Sequence, residues 1–281
     1  IGQDDFDRVK RRAYNRWNEV LGRIEVEDAN TDHLRTFYSC LYRSVLFPRS
    51  LFEIDKQGQI VHYSPFNGKI EKGYMFTDTG FWDTFRCLFP FLNLMYPSMN
   101  QKMQAGLVND YLESGFLPEW ASPGHRGCMV GNNSASVVAD AYLKGLRGYD
   151  AETLWEAVVH GANAVHPHVS STGRLGFEYY NKLGYVPYDV KINENVARTL
   201  EYSYDDWTIW NTARLVGDKK VEEEYASRAL HYRNVFDTDL GFCRPKYADG
   251  TFKKDFDIMQ TVGEGFIEGN SLNFTFHAPQ D

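Results

Sequence analysis

Four short segments of the sequence place carboxylates beside aromatic rings. Ring faces can cover the apolar C–H side of a sugar, and carboxylates accept hydrogen bonds from its hydroxyls. Two carboxylates in different environments are also what glycoside hydrolysis requires. The pattern therefore indicates a polyhydroxylated ligand, and its candidate residues are Trp82, Asp83 and Arg86 in the first segment, Glu119 and Trp120 in the second, Glu201, Asp205 and Asp206 in the third, and Glu268 and Asn270 in the fourth.

Each segment also has a purely local interpretation. Asp83 and Arg86 lie three residues apart at the start of a predicted helix, where the helix dipole favours an acid and a nearby cation can pair with it. Asp205 and Asp206 could lie on an exposed helix face, because carboxylates are costly to bury without partners. The sequence leaves both interpretations open.

The sequence gives less support to other kinds of catalytic or metal site. There is no GxSxG elbow and no P-loop. A proline separates His166 from His168, and no third ligand stands nearby, which disfavours a metal site. The four cysteines form no CxxC pair, so we expect single buried thiols. Sequons begin at Asn132 and Asn273, but so short a pattern often arises by chance.

Composition narrows the class of protein. In 281 residues, 43% are hydrophobic and 24% are charged, which is typical of a globular chain. The net charge of −8 argues against a nucleic-acid partner, and no apolar run approaches the roughly 20 residues of a membrane helix. The missing initiator methionine and the abrupt last residues lead us to expect a piece of a longer protein.

Helical periodicity dominates the elements that must position the candidate residues. Apolar spacings of three and four predict helices over 5–21 and, after a Thr31-Asp32 cap, to about residue 45. The segments LFEID and IVHYS around 56–59 predict a hairpin within a small β excursion near 51–78. Further helices are predicted in pairs, at about 81–95 with 99–114, about 134–147 with 150–163, and about 194–216 with 218–234.

Short connections within these pairs favour helical hairpins stacked around a core, as in an α/α toroid. The longer segments 115–133, 165–192 and 240–281 have the length of loops that usually carry function. No linker divides the chain, so we expect 1–281 to be part of one domain.

Ordered motifs along the chain carry a family resemblance. They are LRTFYSCLYRS at 34–44, FWDTFR at 81–86, LPEW at 117–120, VVADAYLKG at 137–145, LGYVP at 183–187, EYSYDDW at 201–207, GFCRP at 241–245 and EGNS at 268–271. In order and approximate spacing, nearly the whole chain resembles glycoside hydrolase family 92, the calcium-dependent exo-α-mannosidases. The resemblance implies a mainly α fold, an incomplete (α/α)6 barrel, with the family's N-terminal β-sandwich domain and the C-terminal remainder of the barrel outside this chain.

The resemblance also implies a chemistry, which is the inverting hydrolysis of terminal α-mannose with Ca2+ holding two sugar hydroxyls. Glu268 would be the general acid, and its apolar neighbours Phe266 and Ile267 would favour the protonated form. The general base and most calcium ligands are expected beyond Asp281, so no metal ligand is assigned here. The family's EGN motif commonly continues with tryptophans where this chain has Leu272 and Phe276.

The implied partner is a mannose-containing glycan of N-glycan or yeast mannan type, with α-1,2 as the expected linkage. The implied location is secreted, periplasmic or at the cell surface. Two alternatives stay open, a non-catalytic glycan-binding or scaffold protein and another α/α-toroid glycosidase or polysaccharide lyase. Polysaccharide lyases bind acidic sugars with basic residues, so the net negative charge of this chain argues against a lyase.

Overall fold

A computed structural model describes residues 5–281. The backbone falls into two compact units, one ending at Arg49 and the other covering Ser50–Asp281. Composition gave no sign of this boundary, because no long Gly- or Pro-rich linker marks it.

The first unit contains two helices, as predicted. Helix α1 covers Phe6–Leu21, and its N-cap, Asp5, accepts a hydrogen bond from a backbone N–H of the first turn. Helix α2 covers Thr31–Ser44 and is capped by Asn30, one residue earlier than the predicted Thr31-Asp32 cap. The rings of Trp17 and Tyr42 pack with their centroids 4.6 Å apart, which joins the two helices.

The β excursion of the second unit confirms the predicted hairpin. After β1 (Arg49–Ser50), strands β2 (Glu53–Ile54), β3 (Ile60–Tyr63) and β4 (Ile70–Lys72) form an antiparallel sheet in chain order. Glu53 pairs with Val61 and Ile54 with Ile60. The turn between β2 and β3 contains Gly58 at φ 78°, a conformation that glycine adopts without strain.

Two further strand pairs hold loops against the helices. Strand β5 is Phe76–Thr77, and β6 (Thr79–Gly80) pairs with β7 (Trp120–Ala121) so that Gly80 lies opposite Trp120. A Cβ at position 80 would meet the Trp120 ring at 1.8 Å, so only glycine permits this close approach. Strand β8 (Phe236–Asp237) pairs with β9 (Phe242–Cys243).

The predicted helices are present with adjusted ends. The helix expected over 81–95 is divided, because Pro90 has no N–H for the carbonyl four residues earlier. Gly217 in the left-handed conformation ends the longest helix, and Asp218 caps the next. The helices are α3 (Phe81–Thr84), α4 (Leu88–Met95), α5 (Pro97–Ser114), α6 (Ser134–Leu143), α7 (Ala151–Gly161), α8 (Phe177–Leu183), α9 (Asn195–Val216), α10 (Lys219–Arg228), a 3-10 turn (His231–Val235) and α11 (Ser271–Phe274).

Helix α9 is the central element of the second unit. Fifteen of its 22 residues are buried, so it has almost no solvent face, and it packs against α6 and α10. Its buried side chains include the carboxylates Glu201, Asp205 and Asp206, which excludes the exposed face considered above for Asp205 and Asp206. A helix of this kind needs a polar partner for each carboxylate.

The mainly helical fold with small sheets is therefore confirmed. Among the described residues all four cysteines are free, but the expectation that they are buried is correct for Cys243 alone, since Cys40 and Cys87 are exposed and Cys128 is half-buried. Within the same part of the chain, no helix has both the length and the apolar character to cross a membrane.

Candidate functional site

Two adjoining clefts open on the surface of the second unit. The first, of about 320 Å³, is the Asp83 cleft, lined by Trp82, Asp83, Arg86, Ile267, Glu268, Gly269, Asn273 and Phe274. The second, of about 350 Å³, is the Ser170 cleft, lined by Trp82, Gly127, Cys128, Met129, Val130, Ser170, Ser171, Glu194, Arg198, Ile267 and Glu268. Trp82, Ile267 and Glu268 line both, so a molecule that extends from one cleft into the other passes Glu268.

The backbone of the Ser170 cleft is strained. Met129, Glu194 and Glu268 have φ angles of 70°, 54° and 55°, in the left-handed region that side chains disfavour. Such residues cost of order 1–3 kcal/mol each and cluster where function requires a particular geometry. Here three of them surround one cleft, which supports a binding role for it.

Glu268 is exposed in this structure, unlike its neighbours. Phe266 is buried and Ile267 is half-buried, but the turn at Glu268 directs its side chain into the clefts rather than towards the apolar cluster around Phe266. The expected apolar surroundings are therefore incorrect for the carboxylate itself. A bound ligand would have to exclude water from it.

Glu201 lies fully buried behind the clefts. Its Oε1 accepts hydrogen bonds from Trp82 Nε1 at 2.5 Å and from Arg86 Nη2 at 3.1 Å. The same oxygen lies 2.6 Å from His277 Nε2, while Oε2 accepts from Asn133 Nδ2 at 3.1 Å. Burial alone would raise the pKa of Glu201, but hydrogen bonding and charge from His277, with Arg86 and Trp82, lower it below its ordinary value.

Glu119 is deeper and binds the start of α6. Its Oε1 accepts hydrogen bonds from Asn132 Nδ2 at 2.7 Å and Ser134 Oγ at 2.6 Å, and Oε2 accepts from the Ser134 backbone N–H at 3.1 Å. Burial raises the pKa of Glu119 to about 8 despite these donors. The residue anchors the loop before α6 and does not line either cleft.

Asp205 and Asp206 are adjacent but have different partners. Asp205 accepts hydrogen bonds from neutral groups, the Asn132 backbone N–H and Ser136 Oγ, each at 2.9 Å. Burial raises the pKa of Asp205 to about 7, although Arg174 opposes this rise. Asp206 instead forms an ion pair with Arg174 Nη1 at 2.5 Å and lies 3.3 Å from a second guanidinium, Arg228 Nε.

The structure therefore separates the sequence-predicted residues into groups. Trp82, Asp83, Arg86 and Glu268 line the clefts, and Glu201 contacts two of them from behind. Glu119, Asp205 and Asp206 were expected on the pocket wall but are buried, because protein donors satisfy each carboxylate inside the molecule. Trp120 packs over Gly80, and Asn270 caps α11 with its side chain. These two are therefore placed beside the site as supporting residues.

Several residues of the network were not among the sequence candidates. His277, Arg174 and Arg228 bind the buried carboxylates, and no local spacing linked them to α9. Asn132 and Asn133 were noticed only as part of a sequon, yet both are buried and hydrogen-bonded. Their position just before a helix start is the signal that could have identified them.

The described residues do not form a metal site on their own. No group of three or more His, Cys, Asp or Glu side chains in residues 5–281 could hold an ion. His166 accepts hydrogen bonds from the backbone N–H groups of His168 and Val169, so this pair belongs to a turn.

Comparisons with known proteins agree on one family. The sequence profile of the glycosyl hydrolase family 92 catalytic domain matches residues 1–281. The chain is similar to the structure of a family GH92 inverting mannosidase from Bacteroides thetaiotaomicron VPI-5482, with 46% identity and a TM-score of 0.97, covering 100% of this chain and 38% of that one. A family GH92 alpha-mannosidase from Bacteroides thetaiotaomicron, solved in complex with mannoimidazole, has 27% identity and a TM-score of 0.87. The match covers 100% of this chain and 37% of that one.

A curated relative extends the comparison to another organism. An uncharacterized secreted glycosidase from Arthroderma benhamiae is 27% identical over 271 residues, covering 88% of this chain and 30% of that protein. The chain thus spans less than two-fifths of the length of the relatives it matches.

Proposed function

This chain belongs to the catalytic domain of glycosyl hydrolase family 92, and we propose that its longer protein hydrolyses terminal α-linked mannose from glycans. The observation that carries the proposal is the position of Glu268 at the junction of two clefts, beside the half-buried indole of Trp82. A carboxyl group at such a junction can donate a proton to an oxygen that joins a sugar in one cleft to a leaving group in the other. The similarity to mannosidases supports mannose as the sugar.

The clefts offer the groups that such a ligand needs. The Trp82 ring can cover an apolar sugar face, and Asp83 and Arg86 can bind hydroxyls, since both are exposed in the Asp83 cleft. Filling the clefts would exclude water from the Glu268 carboxyl group.

We propose an inverting mechanism, as in the Bacteroides relative. Inversion requires a second carboxylate roughly 6.5–9.5 Å from the acid to activate water on the opposite sugar face. We place this base, and the remaining calcium ligands, in the longer protein. Bound calcium would be a hard cation able to coordinate sugar hydroxyl oxygens, and we propose that the longer protein requires it.

The finer assignments rest on the family. We propose α-1,2-linked mannose in N-glycans or yeast mannan as the substrate, and a secreted, periplasmic or cell-surface location, in line with the secreted relative.

The test uses the full-length protein with Glu268→Gln. We expect hydrolysis of α-1,2-mannobiose to fall on the order of 100-fold or more, with a much smaller loss on 2,4-dinitrophenyl α-mannoside, because an acidic phenol leaves without protonation. Glu264→Gln is the matched control, since Glu264 lies in the same segment, pairs with Lys253 and lines neither cleft. NMR of the first product formed would show the β anomer if the reaction inverts.

Equal losses on both substrates would show that Glu268 is not the general acid. A wild-type protein that binds mannosides without hydrolysing them would support the glycan-binding alternative instead.

A further inference from the structure

We propose that Glu201 is a positioning residue, which fixes the orientation of Trp82, Arg86 and His277 around the candidate site without touching the ligand. This inference rests on the proposed function. It replaces the expectation from sequence that Glu201 forms part of the pocket wall.

Burial excludes direct contact between Glu201 and a ligand in the clefts. The side chain is 0% exposed, and neither cleft includes it among its lining residues. All of its hydrogen-bond donors come from the protein. Any effect of this carboxylate on a bound sugar must therefore pass through those donors.

The donors come from segments far apart in the chain. Trp82 lies in α3, and Arg86 follows that helix, whereas His277 follows α11. One oxygen of Glu201 meets all three, at 2.5, 3.1 and 2.6 Å. The carboxylate thus joins two chain segments, 82–86 and the segment that follows 267–274, whose residues both contribute to the lining of the Asp83 cleft.

Arg86 lines the Asp83 cleft alone, and Trp82 is the residue through which this arrangement reaches both clefts. Its indole lines both clefts, and its ring N–H has Glu201 as acceptor. Without the carboxylate, the ring would lose the hydrogen bond that sets its rotation. Arg86 and His277 would lose the negative charge between them.

The structure suggests how to remove the charge while keeping the fold. In Glu201→Gln the amide oxygen can still face Trp82, Arg86 and His277 but, being neutral, it accepts hydrogen bonds more weakly than a carboxylate, and the amide nitrogen can face Asn133. Asn133 Oδ1 is buried and has no hydrogen-bond partner, so it can accept that new donor after its amide turns over, at the cost of the 3.3 Å hydrogen bond from Asn133 Nδ2 to Asp205 Oδ1. The variant therefore tests orientation and charge rather than overall stability.

We would measure kcat and KM of the full-length enzyme on 2,4-dinitrophenyl α-mannoside and α-1,2-mannobiose. A displacement of about 1 Å at a reacting group costs on the order of 100-fold. We expect Glu201→Gln to lower kcat/KM by that order, equally on both substrates, while the variant stays folded and unfolds cooperatively above the assay temperature. An equal loss separates positioning from proton donation, since Glu268→Gln should discriminate between the leaving groups.

A double-mutant cycle identifies the route. Trp82→Phe keeps an aromatic face and deletes the N–H donor, so its loss and that of Glu201→Gln should combine to less than their product. Asp110→Asn is the control, because Asp110 is a buried carboxyl on α5 that lines neither cleft, and it should keep wild-type kinetics.

Three results would overturn the inference: wild-type kcat/KM in Glu201→Gln, multiplicative losses in the cycle, or a loss confined to one substrate. If Glu201→Gln does not fold, Trp82→Phe carries the test, and its retention of wild-type kcat/KM would overturn the inference. A wild-type enzyme inactive on all mannosides would instead refute the proposed function.

Discussion

Asp205 and Asp206 are neighbours in one buried helix, yet the structure predicts very different costs for neutralising them. Asp206 is the counter-charge of Arg174, whose side chain is 0% exposed, and it also contacts Arg228. Removing one partner of a buried pair typically costs about 3–5 kcal/mol, because the remaining charge has no compensation. We therefore expect Asp206→Asn to destabilise the protein by about 3–5 kcal/mol.

Asp205→Asn should cost much less. With its pKa raised to about 7, Asp205 is largely protonated at pH 6, and an amide has nearly the shape of a protonated carboxyl. The amide nitrogen can donate to Ser136 Oγ. The remaining cost is that of a rearranged hydrogen bond, about 1 kcal/mol.

Thermal unfolding of the full-length protein, followed by circular dichroism at pH 6, would compare the two variants. Because the shift in melting temperature is proportional to the loss of stability, Asp206→Asn should lower the melting temperature about three to five times as much as Asp205→Asn. Urea midpoints would provide an independent measure. If the two variants differ by less than about 1 kcal/mol, the Asp206 ion pair does not stabilise the fold as argued.

Three other predictions concern pH, close packing and metal. Burial raises the folded pKa of Glu119 to about 8 and that of Asp205 to about 7, both above the unfolded values. The contribution of each protonated carboxyl to folding stability is therefore full below about pH 4 and is lost as pH rises through 7 to 8. The urea midpoints of Glu119→Gln should accordingly approach those of wild type between about pH 5 and 8. Gly80→Ala should destabilise by at least about 1–3 kcal/mol in urea denaturation, since its Cβ would lie 1.8 Å from the Trp120 ring, whereas Gly217→Ala, with open space but positive φ, should cost less. Chelation should abolish mannoside hydrolysis by the full-length enzyme, and Ca2+ should restore it; full activity in excess chelator would remove calcium from the proposal.

The helices were predictable because their signals are local. Caps and glycine stops at Asp5, Asp150 and Gly217 lie where the periodicity begins or ends, and the structure uses all three. Helix α8 was assigned to a loop, since its seven residues between Gly176 and Gly184 are too few to show a period. The break before α4 follows from Pro90, which the apolar pattern across it concealed.

The residue types of the candidate site were predictable from the sequence, but the burial of each residue was not. The sequence identified Trp82, Asp83, Arg86 and Glu268, which the fold brings to one cleft. It could not show that Asp205 and Asp206 are interior, because their partners lie dozens of residues away in the chain. Burial of a carboxylate depends on such distant donors, and these have no fixed spacing in the sequence.

Acid beside aromatic ring is therefore an ambiguous signature. A sugar site and a buried carboxylate both require donors and apolar surfaces close to an acid, so one composition serves both. In this chain helix α9 makes the distinction: Glu201 receives N–H groups from residues at the clefts, Asp205 receives them from the segment before α6, and Asp206 receives them from two guanidiniums. The three acids thus connect the cleft-lining segments, the start of α6 and the arginine pair to a single helix. Of the three, only Glu201 directly contacts residues that line the clefts. On this argument, Glu201 is the one of the three acids whose substitution alters the ligand's surroundings, whereas Arg198 of the same helix lines the Ser170 cleft directly.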